Sequence, residues 1–174
     1  ILSWFWRRIY DGVDLYNISR ITELTKTHTI IYAPSHKSHV DYLVLSYVLF
    51  HNGLMLPLVA AGNNLDMPIV GPLLRRGGAF FLRRTFRDDA IYQKVFSEYL
   101  YQIFREGHSV EYFVEGGRSR TGKLRRPSMG MLSMSVESQT RDLHRPLAIM
   151  PVYVGYEKLI EANTYLKELT GGSK

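Results

Sequence analysis

Thr29-Ile30-Ile31-Tyr32-Ala33-Pro34 is a short run of β-branched and apolar residues, and it reads as a buried strand. From Tyr42 to Phe50 the apolar residues recur at helical spacing, so a helix begins near Asp41. The same alternation runs down the chain. Residues 79–82, 109–114 and 147–154 read as further strands. Residues 88–106 carry Ile91, Val95, Phe96, Tyr99, Leu100, Ile103 and Phe104 at helical spacing, and Gly107 stops that helix. Residues 54–61 read as a strand whose Pro57 points to a sheet edge. Residues 19–26, 66–74 and 129–138 read as shorter helices, the second opened by Asp66 and Pro68. Strands alternating with helices predict an α/β single domain, a mixed or mostly parallel sheet flanked by helices. At 174 residues, with no repeat and no linker, one domain accounts for the whole chain.

The segment from His36 through Lys37, Ser38, His39 and Val40 to Asp41 occupies the turn between the first strand and its helix. Reacting groups in α/β proteins gather there, at the carboxyl ends of strands. On one continuous helix, side chains five residues apart point about 140° from each other. Across a turn, with Asp41 in the first helical turn, the chain can fold back. The carboxylate then accepts from one ring nitrogen of His36 and leaves the other free as a base. A histidine held this way takes a proton from a hydroxyl near neutral pH. Two other readings stand beside it. Ser38-x-x-Asp41 resembles a capping box, in which Asp41 only caps and His36 is a satisfied loop residue. A metal site built from His36, His39 and Asp41 is the third.

The chain has no cysteine, which excludes disulfides, thiolate metal sites and an acyl-cysteine intermediate. No Gly-x-Ser-x-Gly elbow is present, so no ordinary serine-hydrolase nucleophile is visible. A net charge of +6 calls for an anionic partner. Such a partner is a phosphorylated metabolite, coenzyme A, an acidic carrier protein, an anionic membrane or nucleic acid. No apolar run is long enough to span a bilayer, and there is no signal-peptide pattern. Over residues 1–16, Leu2, Phe5, Ile9, Val13 and Tyr16 share one helical face, with Trp4, Trp6, Arg7 and Arg8 at its start. Such a helix lies at a membrane surface or packs on its own domain, and packing is the expectation. Gly117-x-x-x-x-Gly122-Lys123 follows a strand as a nucleotide phosphate loop would. Leu124 stands where Ser or Thr should hold magnesium, and Pro127 falls where the helix should run, so a nucleoside triphosphatase is not expected. A loop rich in glycine and arginine can still hold a phosphate; a solvated basic loop is the plain alternative for Arg118 and Arg120.

Four stretches then line up in order. They are His36-x-x-x-x-Asp41, Gly78-Ala79-Phe80-Phe81-Leu82-Arg83-Arg84, Phe113-Val114-Glu115-Gly116-Gly117-Arg118-Ser119-Arg120, and Ile149-Met150-Pro151-Val152-Tyr153. The ordered set resembles the four motif blocks of the glycerolipid acyltransferase family. Its wording is most similar to the bacterial membrane-associated glycerol-3-phosphate acyltransferases. The resemblance runs from Trp4 to about Leu169. Lys37, where the family commonly has arginine, and Leu82, where it often has isoleucine, are mild departures.

The resemblance implies a glycerolipid acyltransferase-like fold, with residues 1–174 as the catalytic domain of a longer protein. It implies His36 as base and Asp41 as its partner. It assigns Arg84, Glu115, Gly117, Arg118 and Ser119 to glycerol 3-phosphate, and Pro151 to the acyl-donor site. The acyl group would pass directly from coenzyme A or acyl carrier protein to the 1-hydroxyl, the first step of phospholipid synthesis. No cofactor, metal or nucleic acid is expected. The domain would sit peripherally on the cytoplasmic face of the inner membrane. Within the family the alternative substrate is 1-acylglycerol 3-phosphate. Outside it, the alternative is a non-catalytic module that binds anionic membrane or nucleic acid. Phe80, Phe81, Met129, Met131 and Met134 could line an acyl tunnel, but core packing is the expectation for each.

Overall fold

The computed structural model describes residues 12–38, 40–83 and 88–157. Ten elements follow in order. They are α1 (Ile18–Thr27), β1 (Thr29–Pro34), α2 (Asp41–His51), β2 (Leu58–Gly62), α3 (Val70–Arg76), β3 (Ala79–Leu82), α4 (Ala90–Arg105), β4 (Val110–Glu111), α5 (Met129–Gln139) and β5 (Leu147–Val152). The five strands form one sheet in the order β3-β2-β4-β1-β5, and every pairing is parallel.

The sheet is parallel because both of its faces are apolar. All six residues of β1 are buried. Successive side chains point to opposite faces. Ile31 packs with Leu100, Ile103 and Phe104 of α4 and with Val110 on one face. Ile30 and Tyr32 pack with Leu45 and Leu49 of α2 on the other. A strand apolar on both sides needs a helix layer on each, which parallel crossovers supply.

The strong helix signal is met closely at α4. Asp89 accepts from Tyr92 N at 2.9 Å and caps the start. At the end Gly107 has φ +81°, His108 N donates to Ile103 O at 3.1 Å, and Gly107 N donates to Phe104 O at 2.9 Å. That bonding pattern closes a helix only with a left-handed residue, hence the glycine.

Other expectations are corrected. β2 is an interior strand, not an edge: Pro57 lies one residue before it, where its missing N–H removes no ladder bond. The helix expected from residue 66 starts at Val70, since a residue that precedes proline, as Met67 does, disfavours helical backbone. Pro72 fits its first turn, where backbone N–H groups lack helical partners anyway. β4 keeps ladder pairing only at Val110–Glu111 and then peels into a turn. Residues 12–16 are not helical, and Asn17 takes a left-handed φ of 62° before α1. The rest of the expected N-terminal helix, residues 1–11, lies outside the described residues.

The topology sets up the site. β4 returns between β1 and β2, so blocks distant in sequence leave the sheet side by side. Tyr32 is level with Glu111 and Met150, and Glu111 with Val59, which is level with Ala79. His36, Glu115, Val154, Asn63 and Arg83 each stand four residues past one of these register positions, just beyond the carboxyl ends of the strands. From β1 to β3 is three strand spacings, roughly 14 Å at about 4.8 Å each. Leu100 has no exposed surface and sits in the larger core cluster. Leu100→Ala is expected to lower stability by about 2–5 kcal/mol, read as a lower urea midpoint with an unchanged slope.

Candidate active site

His36 and Asp41 meet across the turn. His36 Nδ1 lies 2.9 Å from Asp41 Oδ2. A carboxylate only accepts, so Nδ1 carries the proton and Nε2 keeps its lone pair. The His36 ring stacks on Phe113 with centroids 3.8 Å apart and planes 19° from parallel. Its side chain is 16% exposed, while Asp41 is fully buried. Asp41 Oδ2 also accepts from Lys37 N at 2.7 Å and Ser38 N at 3.0 Å. Asp41 is thus more than a cap: the helix N-cap is Val40 with no side-chain cap bond, and the amides that Asp41 binds belong to the turn before the helix. His39, the other ligand of the metal reading, lies outside the described residues.

Glu115 ties the third block to the first. Its Oε1 accepts from His36 N at 3.0 Å, and its Oε2 accepts from Arg125 N at 2.8 Å. Ser119 N donates to His36 O at 2.7 Å, and the Ser119 hydroxyl donates to the Lys123 carbonyl. Both side chains are buried and committed to backbone partners. Gly116 turns the chain with φ +62°. A Cβ on Gly117 would stand 2.6 Å from Arg125 Nη1, so that guanidinium rests on the glycine. No helix follows Gly122 and Lys123 directly; α5 starts only at Met129, unlike a nucleotide phosphate loop.

His36 opens onto a cleft of about 1200 Å³. Its lining includes the apolar Leu65, Leu73, Leu74 and Met131 and the basic Arg83, Arg118, Arg120 and Arg125. Gly117 and Ser119 also line it. Arg84 lies outside the described residues. Pro151 is not in the lining: on β5 it borders a second cavity of about 650 Å³. Phe80 and Met134 pack against the core as expected, and Met131 joins both core and cleft. Met129 is 57% exposed and does neither. Phe81 is half-buried under the Arg75 guanidinium, 4.6 Å from its ring centroid.

Sequence reasoning missed Arg125, Phe113 in its stacking role, and Tyr156. The basic pair Arg125–Arg126 was the signal for the first, and the position of Phe113 two residues before Glu115 for the second. Tyr156 gave no signal. Its hydroxyl donates to Asp41 Oδ1 at 2.5 Å from 115 residues away.

Beneath the dyad, Glu111 is fully buried and neither carboxyl oxygen has a hydrogen-bond partner. Burial, and then the charge of Asp41, push its pKa up to about 8. Tyr32, level with it on β1, is raised to about 12 by burial and then by Glu111. The folded protein therefore keeps a proton on Glu111 that the unfolded chain releases near its ordinary value of 4.5.

The acyltransferase family model matches residues 15–155. The glycerol-3-phosphate acyltransferases of Ectopseudomonas mendocina and Pseudomonas syringae pv. tomato are each 54% identical over 174 residues, all of this chain. That of Pseudomonas paraeruginosa is 53% identical over the same span. The chain spans 21% of the length of each of these relatives.

The raised Glu111 gives a pH signature. Between about 4.5 and 8 the folded state binds one proton more than the unfolded, so this residue lowers stability as pH rises through that window. Glu111→Gln cannot ionise. Its thermal midpoint relative to wild type should improve steadily from pH 5 to pH 8 and level off above, an overall gain of a few kcal/mol in scanning calorimetry.

Proposed function

We propose, from a chain that belongs to the acyltransferase family, that it carries the catalytic chemistry of a glycerol-3-phosphate 1-O-acyltransferase. The observation that carries this reading is the 2.9 Å pairing of His36 Nδ1 with buried Asp41, on a ring that opens into an arginine-lined cleft. The names and 53–54% identity of the relatives supply the substrate class.

The 1-hydroxyl of glycerol 3-phosphate is a poor nucleophile until its proton leaves. His36 Nε2 takes that proton as the oxygen attacks the carbonyl carbon of an acyl thioester, with coenzyme A or acyl carrier protein as the thiol carrier. Asp41 stabilises the imidazolium that forms. The tetrahedral adduct collapses, the C–S bond breaks, and the imidazolium returns the proton to the departing sulfur. The products are 1-acylglycerol 3-phosphate and a free thiol. Base catalysis of this kind supplies about 10²–10⁴-fold in rate. Holding the hydroxyl against the carbonyl supplies much of the remainder.

Arg118, with Arg84 of the second block, anchors the substrate phosphate by charge-assisted bonds. Arg83, Arg120 and Arg125 add to the basic lining. Glu115 and Ser119 act on the substrate through the loop they hold, since their side chains bond backbone groups. Gly117 leaves room for the Arg125 guanidinium. The apolar Leu73, Leu74 and Met131 suit an acyl chain, and Pro151 on β5 belongs to the donor side of the domain. The domain works peripherally at the cytoplasmic face of the membrane. Exposed Ile69 and Leu73 beside Arg76 on α3 suit an anionic lipid surface. No described helix is long and apolar enough to cross a membrane.

His36→Ala should cut kcat by about 10²–10⁴-fold with the circular dichroism spectrum unchanged. The check is transfer of a labelled acyl group from its thioester to glycerol 3-phosphate in detergent; retained turnover removes His36 from the base role. Arg118→Ala should raise KM for glycerol 3-phosphate roughly 10–100-fold, the loss of a charged hydrogen bond, with kcat less affected. A change confined to the KM of the acyl thioester would place the phosphate elsewhere.

A further inference from the structure

The segment after β5 is fastened to the His36 loop along its length. Ser35 N donates to Val152 O at 2.8 Å, and Val154 N donates to Ser35 Oγ at 3.0 Å. Lys37 Nζ donates to the Tyr153 hydroxyl at 2.8 Å and lies 4.0 Å from that ring's centroid. Lys37 is buried, and this bond gives its ammonium a polar partner there. The segment then delivers the Tyr156 hydroxyl to Asp41 Oδ1 at 2.5 Å. We propose that Tyr156 is a positioning residue for the His36–Asp41 pair, fixing the plane of the Asp41 carboxylate from behind. The inference rests on the reading of His36 as the base and adds to it a role for the segment just after the fourth block, which reaches the reacting groups through Asp41.

The two oxygens of Asp41 are divided. Oδ2 takes His36 Nδ1, Lys37 N and Ser38 N, all on the loop side. Oδ1 takes the phenol from the opposite side. The three loop-side donors hold Oδ2, and the phenol on Oδ1 adds a further constraint on rotation about the last carbon–carbon bond. Bonded through both oxygens, the carboxylate presents a fixed lone pair to Nδ1, and the imidazole is aimed accordingly. The phenol also draws charge from the carboxylate and so moderates its hold on an imidazolium. Among the described residues, ionisable groups that interact with Asp41 are His36 from the loop, Glu111 from β4 and Tyr156 from the segment after β5. Glu111 has no hydrogen bond with which to do this work. Tyr156 has one.

The test is Tyr156→Phe in the complete protein, assayed with glycerol 3-phosphate and an acyl thioester. The expected result is a kcat roughly 10-fold or more below wild type, the scale seen when an outer partner of a functional side chain is lost. KM for glycerol 3-phosphate stays unchanged. The acidic limb of the kcat/KM profile moves to higher pH, because a carboxylate relieved of one donor holds an imidazolium more firmly. A purely structural role for Tyr156 would not move that limb. In an Asp41→Asn background the same substitution should cause little further loss, since both act through one carboxylate. A monofluorinated tyrosine at position 156 keeps the ring and strengthens the donor, so it should move the acidic limb to lower pH; this variant serves where Tyr156→Phe folds poorly. A wild-type kcat and pH profile in Tyr156→Phe, an unmoved limb with the fluorinated residue, or full additivity with Asp41→Asn would overturn the inference. His36→Ala separates the two levels. Full turnover there sinks the base assignment itself, whereas an inactive His36→Ala beside an unaffected Tyr156→Phe sinks the inference on Tyr156 alone.

Discussion

A single buried carboxylate organises the working end of this domain. Asp41 has no exposed surface and accepts from a ring nitrogen, two backbone amides and a phenol. Burying a charge is tolerable only when it is this fully bonded. The same bonds that make its burial possible give the loop its shape. The amides of Lys37 and Ser38 cannot reach Oδ2 unless the chain turns tightly between β1 and α2, and that turn brings His36 over its partner.

The loop depends in turn on two more distant segments. Glu115 holds the His36 amide, and Ser119 N binds the His36 carbonyl. From the other side Val152 and Val154 hold Ser35. These contacts follow from strand order: β4 and β5 flank β1, and all three run the same way. β1 and β4 are paired neighbours, so the segments that leave their ends run close together, and His36 finds Glu115 across 79 positions of sequence. Arg118, Arg120 and Arg125 ride on the loop that Glu115 anchors, while Arg83 comes from the end of β3. The three loop arginines and the base beside them are thus set by one hydrogen-bonded frame. Glu111 beneath it is the unbonded exception, and burial and then the charge of Asp41 push its pKa up.

The helix and strand pattern was largely legible because it rests on local chemistry. Seven apolar residues at helical spacing and a stopping glycine read α4 to within two residues. The errors have local causes as well. Pro57 was read as an edge signal, but a proline just before a strand and one inside it look alike when the pairing partner is unknown. Asp66 and Pro68 made a plausible helix start that Met67, placed before a proline, disfavours. The continuation of residues 109–114 as a strand ignored the fact that the backbone must leave the sheet to bring Phe113 under His36 and Glu115 behind it.

From the chain alone came the α/β alternation, the strand-to-helix turn that holds His36 and Asp41, and the basic, glycine-rich third block. Each is written within a few residues, where spacing and side-chain type decide geometry directly. Tertiary structure decided which blocks face each other, that Glu115 and Ser119 hold backbone groups, that Pro151 borders a different cavity, and that Tyr156 reaches Asp41. Those outcomes depend on strand order and register. A linear sequence states which residues are near in the chain, but the packing of two apolar sheet faces under helices selects which of its ends come together in space.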